Sequence, residues 1–216
     1  VILLKGEFLL TEIYFTRHGQ TVWNLTKRLQ GSANSELTEE GIERAKILSK
    51  RLKAIDLDCI YTSPIKRAYE TALILKGNKD IDVICEEGLR ELSFGEYEGH
   101  TEEELLKEGR GQEIAKIFNG EMNVKCPKGE TLEELYKRVG IALDNILAKS
   151  DNKKILIVSH GMALKAIVNY FRKDKGFYKE IMGQVTLSKV ISDNGQFKFE
   201  FINDGSHFNE EIKCGW

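Results

Sequence analysis

The chain has 216 residues, long enough for one sizeable α/β domain and short for two. With 41% hydrophobic and 31% charged residues and a formal net charge of -2, its composition is ordinary for a soluble globular protein. That balance excludes a global basic field for nucleic acid or anionic lipid, so any anion site must come from a local cluster of cations.

Residues 1–10 are apolar but interrupted by Lys5 and Glu7. They show no basic leader, unbroken apolar run or small-residue cleavage site, so they read as a poor signal peptide and as an extension to the fold. A strand is predicted over residues 11–16, followed by a polar loop from Gln20 to Leu37. Thr38 precedes Glu39 and Glu40, and Ile42, Ala45, Leu48, Leu52 and Ile55 recur at helical spacing. Cys59–Thr62 reads as a short second strand. Ser63-Pro64 supplies an N-cap and a first-turn proline for a helix through Leu75. Ile81–Cys85 reads as a third, edge-like strand.

Residues 88–130 are irregular and charged, with a capping box at Thr101/Glu104, and are expected to form an inserted lid region over the site. A second capping box, Thr131/Glu134, opens a long helix to about Lys149. A strand over 154–159 and a helix from Gly161 to Phe171 follow. Thr186–Ile191 and Phe197–Ile202 flank Asp193-Asn194-Gly195, a hairpin signal. The alternation predicts one α/β domain over residues 1–216, a three-layer sandwich whose mostly parallel sheet carries helices on both faces. No stretch of about 18 apolar residues occurs, so no membrane span is expected.

The four cysteines, Cys59, Cys85, Cys126 and Cys214, are scattered, without a C-x-x-C pair or a His at ligand spacing. Reduced thiols in a cytoplasmic protein are expected, with Cys59 and Cys85 as small core residues. No metal or cofactor site is visible.

Chemistry concentrates where two apolar strands run into His-Gly. Ile13-Tyr14-Phe15 leads to Arg17-His18-Gly19, and Ile155–Val158 leads to Ser159-His160-Gly161. Open α/β sheets bind ligands outside the carboxyl ends of their strands, so two such ends point to one site. Arg67, in the first turn of a helix after a strand, adds a guanidinium and the positive end of a helix dipole at the same rim. Arginine forks and free N–H groups match a phosphate.

The segments Arg17–Thr21 with Asn24, Arg28–Gly31, Leu37-Thr38 and Gly41 resemble the histidine phosphatase superfamily (phosphoglycerate mutase-like). So do Ser63-Pro64 with Arg67-Ala68 and Glu70-Thr71, Leu89–Glu91 with Phe94-Gly95 and Glu98-Gly99, and Ser159–Gly161. The matches keep the family's order over nearly the whole chain. The resemblance implies a phosphohistidine mechanism with His18 as nucleophile, Glu91 as proton donor, and Arg17, Arg67 and His160 clamping the phosphoryl group. Asn24, Gln30, Gly31 and Gly161 would complete the substrate site, and a small phosphorylated metabolite is the implied partner. Taken alone, Glu91 reads equally well as an ion-pair partner of Arg90.

The family's mutases use an adjacent arginine pair in the excursion, which residues 94–123 lack. That favours the phosphatase branch, with phosphoglycerate mutase-type transfer as the alternative and a non-catalytic phospho-ligand binder as a third reading. Monomer and homodimer both remain open. Of the remaining candidates, His100 is expected to be exposed, His207 to close the tail over the core, and Trp23 to serve packing.

Overall fold

The computed structural model describes residues 10–173 and 176–208. Six strands form one sheet in the order β3-β2-β4-β1-β5-β6. They are β1 (Leu10–Arg17), β2 (Cys59–Thr62), β3 (Asp82–Cys85), β4 (Lys154–Ser159), β5 (Leu187–Asp193) and β6 (Gln196–Asp204). The first four run parallel, while β5 pairs antiparallel with β1 and β6 antiparallel with β5. The central strands β1 and β4 are apolar on both faces, as a parallel strand under two helix layers must be.

The alternation of side chains divides the core in two. Ile13, Phe15, Tyr61, Ile155 and Ile157 pack with α6 (Leu132–Leu147) and α7 (Gly161–Arg172). Tyr14, Ile60, Leu156 and Val158 pack with α2 (Glu39–Leu52) and α3 (Lys66–Lys76). Helices therefore cover both faces, as the sequence pattern predicts.

The capping chemistry holds in detail. Thr131 and Thr101 each exchange bonds with the Glu three residues on, opening α6 and α4 (Glu102–Lys107). Asn194 and Gly195 both take positive φ, which matches the twist of the β5–β6 hairpin. Residues 88–130 carry two short 3-10 turns, α4 and α5 (Gln112–Phe118). Arg28, just after the short helix α1 (Val22–Leu25), ties α4 to the loop after β1 through Glu104 at 2.7 Å.

Three expectations need correction. The cap of α3 is Ile65, not Ser63, and Pro64 lies before the helix; Ser63 Oγ instead accepts from Ile65 N–H in a tight local turn. Cys85 is exposed rather than core, because β3 is the outer edge strand and leaves it, with Ile84, facing outward. His100 is half-buried, its Nδ1 fully covered, because the turn after the second 3-10 segment folds back onto Leu29. Cys214 and the first nine residues lie outside the described residues. Among the described residues no helix is long and apolar enough to cross a membrane.

Candidate active site

The parallel register of β1 and β4 pairs Arg17 with Ser159, so the next residue on each strand is a histidine. The rings of His18 and His160 lie 5.2 Å apart, tilted by 59°. His18 N–H donates to the Ser159 carbonyl at 3.0 Å, locking the first strand end to the second.

The protonation of His18 follows from its neighbours. Nδ1 lies 2.7 Å from the Gly19 carbonyl, which can only accept, so Nδ1 carries the proton. Arg67 Nε, which can only donate, lies 3.3 Å from Nε2. The lone pair of Nε2 therefore faces the arginine. Burial, then the cations of Arg67 and Arg17, push the His18 pKa well below its ordinary 6.5. The imidazole is neutral and available as a nucleophile.

Arg67 is the second residue of α3 and only 1% exposed, so it is no surface arginine. Its Nη1 donates to the Ala33 carbonyl at 2.6 Å and Nη2 to the Gly31 carbonyl at 2.7 Å. Burial lowers its pKa to about 10, with Glu91 opposing and Arg17 adding to the shift. The loop that receives it is held by Glu98, whose carboxylate accepts from the N–H groups of Ser32, Ala33 and Phe94. Gly31 is required there. Its φ is +52°, and a Cβ would meet Glu98 Oε1 at 2.1 Å.

His160 caps α7 and is fully buried. Neither ring nitrogen has a hydrogen-bond partner among the described residues. Burial, followed by Arg67, His18, Arg17 and Arg138, pushes its pKa well below 6.5. Arg17 is buried beside it and donates from Nη1 to the Met182 carbonyl at 3.1 Å.

Glu91 completes the ring of groups. Its Oε1 accepts from Leu92 N–H at 2.9 Å and from Met162 and Ala163 N–H, both at 3.1 Å, at the start of α7. Arg90 pairs with Glu87 instead, so the Arg90 partnership is excluded. A Cβ built on Gly161 would stand 3.6 Å from both Arg17 Cζ and Glu91 Oε2, which places Gly161 on the floor between them. The backbone of the Glu91 loop is gripped by Arg138, which donates to the carbonyls of Gly88, Arg90 and Glu91.

These groups line a cleft of about 580 Å³. Asn24 and Gln30 line it too, although Asn24 Oδ1 accepts from Thr21 N–H and Gln30 Oε1 accepts from Thr21 Oγ. Its far wall is apolar, with Phe94, Ile114 and Phe118 from the excursion and Ile181 and Met182 from the segment before β5. His207 sits apart, against Arg51 and the Val185 carbonyl, and Trp23 packs over Gly99. Among the described residues no group of three or more His, Cys, Asp or Glu is placed to hold a metal ion.

Sequence reading missed Lys165, Arg138 and the Met182 carbonyl, and it named Glu98 in the family pattern without its part in holding the loop that receives Arg67. Lys165 had a signal, since it lies four residues after Gly161 on the same helix face. Arg138 had none, because its partners lie 47 to 50 residues away.

The sequence pattern of the histidine phosphatase superfamily (branch 1) matches residues 13–205. The chain belongs to that superfamily. Over 158 residues it is 34% identical to the probable phosphoglycerate mutase GpmB of Yersinia pestis, covering 73% of each chain. Its fold is similar to Bacillus stearothermophilus YhfR, with a TM-score of 0.83 and 34% identity, over 91% of this chain and 98% of that one. It is also similar to a mutant phosphoserine phosphatase from Entamoeba histolytica in complex with phosphoserine, with a TM-score of 0.77 and 31% identity. That match covers 92% of this chain and 99% of the other. The superfamily's members are enzymes, and phosphatase or mutase chemistry is the range these relatives define.

Proposed function

We propose that this chain is a phosphomonoester hydrolase that acts on small phosphorylated metabolites through a phosphohistidine on His18. The observation that carries this reading is the neutral His18, with its Nε2 lone pair turned toward Arg67 in a buried pocket shared with Arg17 and His160. A protein that only bound phosphate would need the cations but not a desolvated nucleophile.

In the first step Nε2 attacks phosphorus and the ester P–O bond breaks. The departing alkoxide takes a proton from Glu91, which binds that proton as the phosphorylated substrate enters. In the second step water attacks the phosphohistidine, Glu91 takes the water's proton, and the P–N bond breaks to release phosphate and neutral His18. Arg17, Arg67 and His160 hold the three equatorial oxygens, where charge must be balanced in a loose transition state. The two guanidinium groups supply that charge without a metal.

The alternative is mutase transfer, favoured by the likeness to GpmB. The excursion presents Phe94, Ile114 and Phe118 to the cleft rather than a pair of arginines, which supports hydrolysis. Incubation with 3-phosphoglycerate separates the two: inorganic phosphate marks a hydrolase and 2-phosphoglycerate a mutase.

Quenching turnover of a ³²P-labelled ester with alkaline detergent should trap label that is stable to base and labile to acid, and His18→Ala should abolish both label and turnover. Full activity of His18→Ala, or an acid-stable label, would refute the assignment.

A further inference from the structure

The cleft contains a cation that the phosphoryl chemistry does not use. Lys165 follows Gly161 by four residues on α7, so its Cα lies about 6 Å further along the same helix face. Helical side chains lean toward the helix N-terminus, which turns the lysine stem back toward the phosphate pocket. The residue is buried and lines the cleft. Its Nζ donates to the Lys179 carbonyl at 3.2 Å and lies 4.8 Å from the Phe177 ring centroid. None of the ion pairs among the described residues includes Lys165.

A buried ammonium with three N–H groups and a single carbonyl partner is poorly satisfied, because burying a charge is costly unless it is paired. Burial lowers its pKa, with Glu91 pulling the other way. A role in structure alone would be served better by an apolar side chain, since Met162, Ile181 and Met182 already make this wall greasy. The position and charge suit an anionic group on the organic part of the substrate.

We propose that Lys165 is a specificity residue that reads a carboxylate on the organic part of the substrate. This rests on the phosphatase reading and narrows it to phosphorylated hydroxy acids or amino acids. Lysine suits a single carboxylate as a point charge, whereas the two arginines suit the phosphoryl oxygens. The ammonium would keep the Lys179 carbonyl as its second partner.

The test compares O-phosphoserine with O-phosphoethanolamine, which has the same ester linkage but lacks the carboxylate. Wild-type kcat/KM should favour O-phosphoserine by about tenfold or more, the scale of one charge-assisted hydrogen bond, with the difference residing in KM. Lys165→Met should collapse that ratio toward one, and Lys165→Arg should retain most of it. An unchanged ratio in Lys165→Met, or no wild-type preference, overturns the proposal. Titration calorimetry of the same pair on His18→Ala, with and without Lys165→Met, reads the preference as a ratio of Kd. It thereby decides the role of Lys165 even if hydrolysis fails, and failed hydrolysis of both esters and of p-nitrophenyl phosphate counts against the phosphatase reading alone.

Discussion

Replacing Glu91 by Gln separates proton donation from positioning, because the substitution is close to isosteric and the local bonds are defined. Oε1 accepts three backbone N–H groups at 2.9, 3.1 and 3.1 Å. A Gln with its carbonyl oxygen in that place keeps all three. It loses the negative charge at the N-terminus of α7, worth about 0.3–2 kcal/mol. It also puts an amide N–H₂ where Oε2 stands 3.2 Å from Met162 N–H, which is donor against donor. The folding penalty should therefore be about 1–2 kcal/mol, or roughly 2–8 °C in Tm for a chain of this length. The catalytic penalty should be larger. General-acid help is about 10²–10⁴-fold, equivalent to about 3–5.5 kcal/mol of barrier. O-phosphoserine, whose alkoxide must be protonated, should show that full loss in kcat. p-Nitrophenyl phosphate, whose phenolate departs unaided, should lose about tenfold or less. Glu91 raises the pKa of both Arg67 and Lys165, so it is a countercharge of the pocket. Its neutralisation should tighten binding of inorganic phosphate or vanadate, read by titration calorimetry. Steady-state kinetics on both esters, with a thermal melt as control, checks every part. Equal losses on the two esters would refute proton donation and leave Glu91 a positioning role.

The remaining expectations follow from the same geometry. Arg138→Met strips partners from three loop carbonyls and from Glu130, which Arg138 binds at 2.6 Å, so stability should fall by about 2–4 kcal/mol in denaturant melts. Its kcat on alkyl esters should fall more than KM rises, since the loop that carries Glu91 loses its clamp; wild-type kcat would show that the clamp is dispensable. Gly41→Ala would bring a Cβ to 2.3 Å from the Gln20 carbonyl oxygen, and overpacking against backbone should cost about 1–3 kcal/mol while displacing the Gly19–Gln20 turn beside His18. An unchanged melt and kcat would contradict the contact. His18 and His160 are held neutral below the ordinary value of 6.5, so in that window the unfolded chain binds more protons than the folded one. Stability from these two groups is thus complete above about pH 6.5 and lost as pH falls toward their lowered folded values; urea melts over that range should show the slope, and His18→Asn with His160→Asn should flatten it.

Much of this protein is written locally in the chain. The hydrophobic runs of β1 and β4, the Thr–Glu capping boxes of α4 and α6 and the Asn194-Gly195 turn act over a few residues, so their chemistry is legible without neighbours. The two strand ends at His-Gly and Arg67 in the first turn of its helix are likewise legible, and they are enough to indicate a candidate anion site. Tertiary structure decided the rest, because those choices depend on groups far apart in sequence. The β1–β4 register brings His18 beside His160, and Gly19 together with Arg67 selects the tautomer of His18. The start of α7 takes the Glu91 carboxylate away from Arg90, while Arg138 anchors its loop from across the fold. Whether Cys85 faced the core depended on which strand became the sheet's edge, and whether Lys165 faced a cleft or solvent depended on the segment before β5 folding over it. Propensity and capping set the elements; burial and long-range pairing set what each polar group in them can do.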